Sequence, residues 1–599
     1  MSDDALEAFE RPRRLPFSTS EKSQRYRTEN YRGAVGLNWY LTDPTLRLTM
    51  AYYLQPDELA LADRHLTRIG ELMGGPVARW ADETDRNPPR LERYDRWGHD
   101  VSQVIMPASF TQSKRAVLDA QQELRTEARA GGVSSSLAMF ASNYLLNQAD
   151  IGMGCALGTG GGMVQSLVAA YAPADVREHV LAKFASGEWA GETAQLLTER
   201  TGGSDLGALE TTATRSGQDG DVWLLNGFKW FASNCAGEAF VVLAKPEGAP
   251  DSSRGVANFL VLRTRRDGSR NGVRVRRLKD KLGTRSVASG EVEFVDAEAF
   301  LLSEQPSAQQ ATAGPSDGKG LGRMMELTNA ARLGIALFAL GNARRALVES
   351  LCYARQRRAF GGALIDKPLM RRKLAEMIVD VEAALALVFD GTGATNHRQP
   401  KGIRQRIAVP VTKLKVCRLG ITAASDAIEI HGGNGYIETW PVARLLRDAQ
   451  VNTIWEGPDN ILCLDVRRGI EKARAHETLL ARLRDAVSVS DDDPTTQLVA
   501  GRVEDLDAAI TAWSKLDSDV AEARLFPLAQ FMGDVYAGAL LTEQAAWERA
   551  TRGGDRKALV ARLYAQRHLA DRGPLRGIDA DSDEALQRFD ELVDGALAI

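Results

Sequence analysis

Apolar residues recur every three or four positions through most of this chain, and that rhythm gives way to short apolar runs between turns near its middle. Leu59-Ala-Leu-Ala-Asp-Arg-His-Leu-Thr-Arg-Ile-Gly70 places apolar side chains near i, i+3 and i+4, and 116–148 continues the pattern, so 46–190 reads as a mainly helical domain. Over 191–303 the pattern changes. Val222–Phe231, Phe240–Ala244, Asn258–Leu262 and Val292–Val295 read as short strands, parted by Gly, Asp and Ser turns. A small β-barrel or sandwich is predicted there. A Ser-, Gln-, Pro- and Gly-rich linker follows at 303–320. Amphipathic helices at about 321–354, 367–390, 405–431 and 441–474 predict a helical bundle over 320–475. Asp491-Asp-Asp-Pro494 interrupts, and 496–570 is helical again, within an extra C-terminal region at 476–599. Residues 1–45 are polar, with Arg and Pro clusters, and read as an extended arm ordered by another subunit. The predicted fold class is mainly α with an inserted β-barrel.

Composition narrows the function classes. With 599 residues, two to four domains are expected. Net charge is -4, so nothing global points to nucleic acid or an anionic membrane. Five scattered cysteines, without C-x-x-C, argue against a disulfide framework and for a reducing, cytoplasmic setting. The seven histidines show no metal spacing, so no metal is expected. The acidic N-terminus does not resemble a signal peptide, and no apolar run is long enough to span a membrane.

Several short segments carry candidate chemistry. Thr198-Glu-Arg-Thr-Gly-Gly-Ser-Asp205 is a Gly- and hydroxyl-rich turn whose N–H groups could wrap an anion; the plainer reading is a polar turn. Lys229-Trp-Phe-Ala-Ser-Asn234 joins an aromatic pair to a hydroxyl, or is strand core plus turn. Arg355-Gln-Arg-Arg-Ala-Phe-Gly361 is a basic run, or a solvated helix face. Glu429-Ile-His-Gly-Gly-Asn-Gly-Tyr436 ends a helix in glycines that also permit close backbone approach to a ligand. Gly152-Met-Gly-Cys-Ala-Leu-Gly158 lacks a preceding strand and a G-K-[ST], and reads as a close-packed helix or turn lining a pocket. Ile454-Trp-Glu-Gly457 isolates one carboxylate, Glu456. Burial by Trp455 would raise its pKa and suit it to take a weakly acidic proton; an exposed loop acid is the alternative.

In order and spacing, the T-E-x-x-G-G-S-D turn, the R-x-F-G run, the H-G-G-N-G-Y element and the W-E-G loop resemble the acyl-CoA dehydrogenase family from about 75 to 475. Asn87–Asp95, Lys279–Ser286, Val451–Gly457 and the extra C-terminal region resemble its AidB-like, alkylation-response branch. The resemblance implies N-terminal helices, a middle β-barrel and a C-terminal four-helix bundle, with FAD between barrel and bundle and reaching a neighbouring subunit. It implies FAD contacts from Leu197, Thr198, Gly203, Ser204, Phe231, Ser233, Glu429, Gly432, Gly433 and Asn460, with Arg357 and Phe360 meeting FAD across a dimer interface. Phe231 stands where the family usually has Trp, Ser233 where it has Thr, Glu429 where Gln is common, and Pro458 removes an N–H after the acid.

Glu456 matches the family's catalytic base. Asn329-Ala-Ala-Arg332, where some members carry that acid, holds none. Ser204, Arg332, Trp455 and Gly457 are the implied substrate contacts. The implied reaction introduces an α,β double bond into an acyl thioester, on CoA or a carrier protein, with electrons passing to an electron-transfer flavoprotein and a homotetramer built as a dimer of dimers. A DNA-binding flavoprotein of the alkylation response, or a flavin oxidase or monooxygenase on the same fold, are the alternatives. Residues 471–599 hold 16 Lys and Arg against 24 Asp and Glu, an acidic balance that argues against DNA as a partner. Glu456 argues against a monooxygenase, which has less need of that base.

Overall fold

The computed structural model describes residues 31, 33–158, 161–217, 221–304, 317–393, 402, 404–489, 493–575, 578 and 582–599. Most of the arm expected over 1–45, and of the linker expected over 303–320, lies outside them.

Helix α1 (Pro44–Tyr53) opens on Asp43, whose side chain accepts from the Leu46 N–H, with Pro44 in the first turn. Helices α2 (Pro56–Leu72) and α3 (Ala78–Arg86) follow. Asn87-Pro-Pro89 then stops the helical run, because two prolines cannot continue it. Strands β1 (Arg90–Tyr94) and β2 (Asp100–Ile105) form an antiparallel hairpin inside the region expected to be helical. Asp95 sets its turn by accepting from the Trp97 and His99 N–H groups. The pattern over 116–148 resolves into α4 (Ala108–Gly131) and α5 (Ser136–Ala149), parted at Gly132 with φ +64°. The glycine-rich Gly152–Gly158 stretch is helical within α6 (Ile151–Gly158), and α7 (Gly161–Tyr171) and α8 (Ala174–Ala185) lead to the barrel.

Seven strands follow: β3 (Thr193–Leu196), β4 (Thr212–Arg215), β5 (Val222–Ser233), β6 (Ala239–Pro246), β7 (Ala257–Leu262), β8 (Val273–Leu278) and β9 (Ser289–Leu302). Pairings β6–β7, β7–β9, β9–β5, β5–β4 and β4–β6 close a ring around Phe240, Val242, Phe259, Val261, Val292 and Phe294. Strand β8 adds to β9, and β3 adds parallel to β6 with Gln195 opposite Val241. Alternation turns Ala194 and Leu196 into the barrel core and Thr193 and Gln195 to its outer face.

The bundle is α9 (Gly320–Gln356), α10 (Pro368–Gly391), α11 (Gln405–His431), α12 (Pro441–Ala449) and α13 (Asp459–Glu471). The single helix expected over 441–474 is broken between α12 and α13, where Glu456 takes φ +56° and Gly457 φ +104°. Helices α14 (Ala475–Val487), α15 (Pro494–Trp513), α16 (Ser518–Ala523), α17 (Leu525–Arg552), α18 (Arg556–His568), α19 (Glu584–Gln587) and α20 (Phe589–Ala596) complete the chain. Helix α17 lies against α10, α11 and α13 and buries Met532, Val535, Tyr536 and Leu540. The C-terminal region therefore shares one core with the bundle and the N-terminal helices. Among the described residues no helix is long and apolar enough to cross a membrane, and all five cysteines are buried thiols.

Candidate active site

The polar turn after β3 is anchored by one inward-facing acid. Glu199 accepts from Lys229 Nζ at 2.6 Å, Thr211 Oγ1 at 2.5 Å and the N–H groups of Glu210 and Thr211. Lys229 lies inside the barrel and also donates to the Leu243 carbonyl at 2.7 Å. Burial pulls the Lys229 pKa down to about 8 against the pull of Glu199. Burial would lift Glu199, but Lys229 and the donors around it outweigh that and hold it below its usual range. With Glu199 pinned below, Gly203 and Ser204 stay at the surface and Leu197 and Thr198 half-buried. A Cβ at Gly203 would lie 3.1 Å from the Thr198 side chain, a tight contact that Thr198 would have to relieve by shifting a few tenths of an ångström.

Nearby, Phe231 at the end of β5 is 52% exposed, and Ser233 lies 3.3 Å from Ser289 through their hydroxyls.

Glu456 lies beside the strand that leads into this turn. Gln195 Nε2 donates to Glu456 Oε1 at 3.0 Å. Arg332 on α9 donates to the Glu456 carbonyl at 2.9 Å and pairs with Asp465. Lys413 on α11 donates to the Gly457 carbonyl at 2.9 Å. Both cations thus bind backbone, not the Glu456 carboxylate. They hold a non-glycine residue at positive φ, a conformation that surrounding contacts must maintain. Glu456 is half-buried, and protein crowds it. That desolvation raises its pKa, opposed by the charges of Arg332 and Lys413 and by the Gln195 hydrogen bond. Trp455 packs edge-on to Phe338, with ring centroids 6.3 Å apart.

The other predicted residues gather elsewhere. Phe360 is 88% exposed, at φ +49° in the turn between β10 (Arg358–Ala359) and β11 (Gly362–Ala363), just after Arg357. Gly432 and Gly433, after α11, have open space where side chains would stand, and Asn434 Nδ2 donates to Tyr353 Oη at 3.2 Å, tying that glycine cluster to the end of α9. The Glu429 carboxylate turns to Lys373, 3.2 Å away. Asn460 is not part of that group: it is exposed in the first turn of α13, just after Glu456. Along α9 the rise from Arg332 to Arg357 is about 37 Å, so these two clusters are separate sites within one protomer.

Gln195, Lys413 and Asp465 were not singled out by the sequence, and Lys229 headed a quoted segment without a role of its own. Lys413 had a signal: it interrupts the apolar run of α11 and is fully buried. Gln195 had none. The open aromatic at Phe231, the hydroxyl-bearing turn and the uncluttered glycines fit FAD, with the turn suited to its phosphates.

Three family profiles match: "Adaptive response protein AidB N-terminal domain" at 32–190, "Acyl-CoA dehydrogenase, middle domain" at 194–297, and "Acyl-CoA dehydrogenase, C-terminal domain" at 318–471. The chain is 38% identical to the putative acyl-CoA dehydrogenase AidB of Escherichia coli K12 over 287 residues, 48% of this chain and 49% of that relative. That match thus spans about half the length of the relative. Acyl-CoA dehydrogenase family member 11 of Caenorhabditis elegans is 27% identical over 549 residues, 85% of this chain and 84% of the relative. The fold is shared with C. elegans ACDH-11, solved in complex with C11-CoA, at a TM-score of 0.79 and 24% identity, covering 92% of this chain and 96% of that one. From barrel, bundle, motifs and profiles together, the chain belongs to the acyl-CoA dehydrogenase family of FAD-dependent oxidoreductases, with an N-terminal domain of the AidB type.

Proposed function

We propose that this protein introduces an α,β double bond into an acyl-CoA thioester, with Glu456 as the base. The observation that carries the reading is the Glu456 carboxylate: desolvated, half-buried, and with no cation on its oxygens among the described contacts. A base with a raised pKa suits removal of a weakly acidic α-proton. Arg332 and Lys413 fix the backbone on either side, so the carboxylate is placed before substrate arrives. Ser204, Arg332, Trp455 and Gly457 would be the contacts to the thioester.

Leu197, Thr198, Gly203, Ser204, Phe231, Ser233 and Asn460 of one protomer would hold FAD. Arg357, Phe360, Glu429, Gly432 and Gly433 would reach the FAD of a neighbouring protomer, which the 37 Å run of α9 requires if both clusters serve one cofactor (about 1.5 Å per residue). When bound, FAD supplies the hydride acceptor. Electrons then leave to an electron-transfer flavoprotein, and the assembly is a homotetramer, a dimer of dimers.

Anaerobic titration of the purified flavoprotein with a panel of acyl-CoAs tests the reading. One chain class should bleach the flavin rapidly, and Glu456→Gln should slow that bleaching by about 10³-fold or more. A fully loaded flavoprotein that no thioester bleaches would overturn it. A monomer in solution with full FAD occupancy would overturn the role of the neighbour's Arg357.

A further inference from the structure

We infer that Gln195 is a positioning residue for the base: its amide holds the Glu456 carboxylate at a fixed distance from the flavin-binding turn. The inference rests on the reading of Glu456 as the base.

Gln195 lies on the outer face of β3, two residues before Leu197 and three before Thr198. The parallel ladder to β6 locks that backbone, with Gln195 opposite Val241 and Leu196 opposite Val242. One rigid strand therefore sets both the start of the cofactor turn and the donor to Glu456. Among the described residues, the 3.0 Å contact from Gln195 Nε2 is the one side-chain hydrogen bond to that carboxylate. An ionised carboxylate only accepts, so the amide must present its NH₂ group to Glu456. Oε1 is then turned away, and it is buried with no partner.

The other charged groups around Glu456 are engaged elsewhere. Arg332, from α9, binds the Glu456 carbonyl and Asp465; Lys413, from α11, binds the Gly457 carbonyl; Asp459, at the start of α13, pairs with Arg418. Their charge is felt at Glu456, but none of them aims the carboxylate. Gln195 does so without neutralising it. A cation in its place would hold the acid ionised so firmly that it would be a poor base.

The test is the pH profile of anaerobic flavin reduction by an acyl-CoA that reduces the wild type. Gln195→Met keeps the side chain's length and removes the donor. Its apparent pKa should rise by about one to two pH units. Reduction at pH below that pKa should slow about tenfold or more, and at high pH by less than about threefold, with FAD content and flavin spectrum unchanged. Gln195→Glu keeps the shape and sets two carboxylates against each other, so its profile should move further in the same direction. Should Gln195→Met fail to fold, Gln195→Glu carries the test. If Glu456→Gln abolishes reduction while both Gln195 variants keep the wild-type profile, the inference is overturned and the base reading stands. If Glu456→Gln still reduces its flavin at the wild-type rate, the base reading fails and this inference with it.

Discussion

Two glutamates crowded by protein have opposite fates in this molecule. Glu382, on α10, meets Arg556 and Lys557 of α18, the Lys557 Nζ at 2.9 Å. Burial would raise its pKa, but the two cations outweigh burial and hold it at about 2. Glu456 is desolvated too, yet its two neighbouring cations bind backbone carbonyls and only a neutral amide touches its carboxylate, so its pKa rises. On the reading of Glu456 as the base, what separates it from a strut is where the nearby positive charge is pointed. At Glu382 it fastens the C-terminal region to the bundle. At Glu456 it fastens a strained turn and leaves the acid able to take a proton.

The sharpest way to break this contrast is to neutralise each acid. Glu456→Gln should slow flavin reduction by about 10³-fold while leaving unfolding by urea little changed, because a carboxylate with a raised pKa adds nothing to stability at neutral pH. Glu382→Gln should do the reverse. It leaves Arg556 and Lys557 buried against a neutral partner and should destabilise the fold by about 3 to 5 kcal/mol, with the pH profile of reduction unmoved. Equal effects of the two variants on reduction would remove the distinction.

Acid unfolding gives the next test. The folded Glu382 pKa lies below its unfolded value near 4.5, so its contribution is fully present above about pH 4.5 and is lost as pH falls toward 2. The wild type should lose about 3 kcal/mol across that window, and Glu382→Gln should show a correspondingly flatter curve there. Glu456 has the opposite sign. Its raised folded pKa favours the folded state below the unfolded value, and that contribution disappears as pH rises through the folded pKa. Over the same range, flavin reduction should climb with pH and level off once the acid is ionised. The smallest effect is expected from Lys413→Met, which frees the Gly457 carbonyl and loosens the turn: flavin reduction by acyl-CoA should slow about threefold to tenfold.

The C-terminal region also differs from the site in how its charge is used. Arg482 pairs with Asp390 and Glu543, Arg484 with Glu504 and Asp507, and Arg562 with Glu584. Those guanidiniums are committed to carboxylates within the chain, which compounds the region's acidic balance and weighs against a nucleic-acid surface there.

Much of this architecture was legible along the chain. Helix α2 announces itself by 3.6-residue periodicity, whereas α9, α10 and α11, buried on most sides, show it weakly and read as helices by their length and apolar content; β5, β6 and β7 show as apolar runs between turn residues. Three strands and a hairpin were not. Strands β3 and β4 have four residues each, too few to show a period, and β8 reads as a basic segment, Val273-Arg-Val-Arg-Arg-Leu278, because its arginines face out. The β1–β2 hairpin was hidden in a region whose surroundings are helical.

The sequence by itself determined the fold class and the family and singled out Glu456 as the candidate acid, because local periodicity and ordered motifs are properties of the chain read in one dimension. Only the tertiary structure decided what kind of acid Glu456 is. Gln195 lies 261 residues from it, Arg332 124 residues from it, and Lys413 44 residues from the Gly457 carbonyl it holds. Whether such groups meet a carboxylate or the backbone beside it depends on how barrel and bundle dock, and a pKa follows from that arrangement in space.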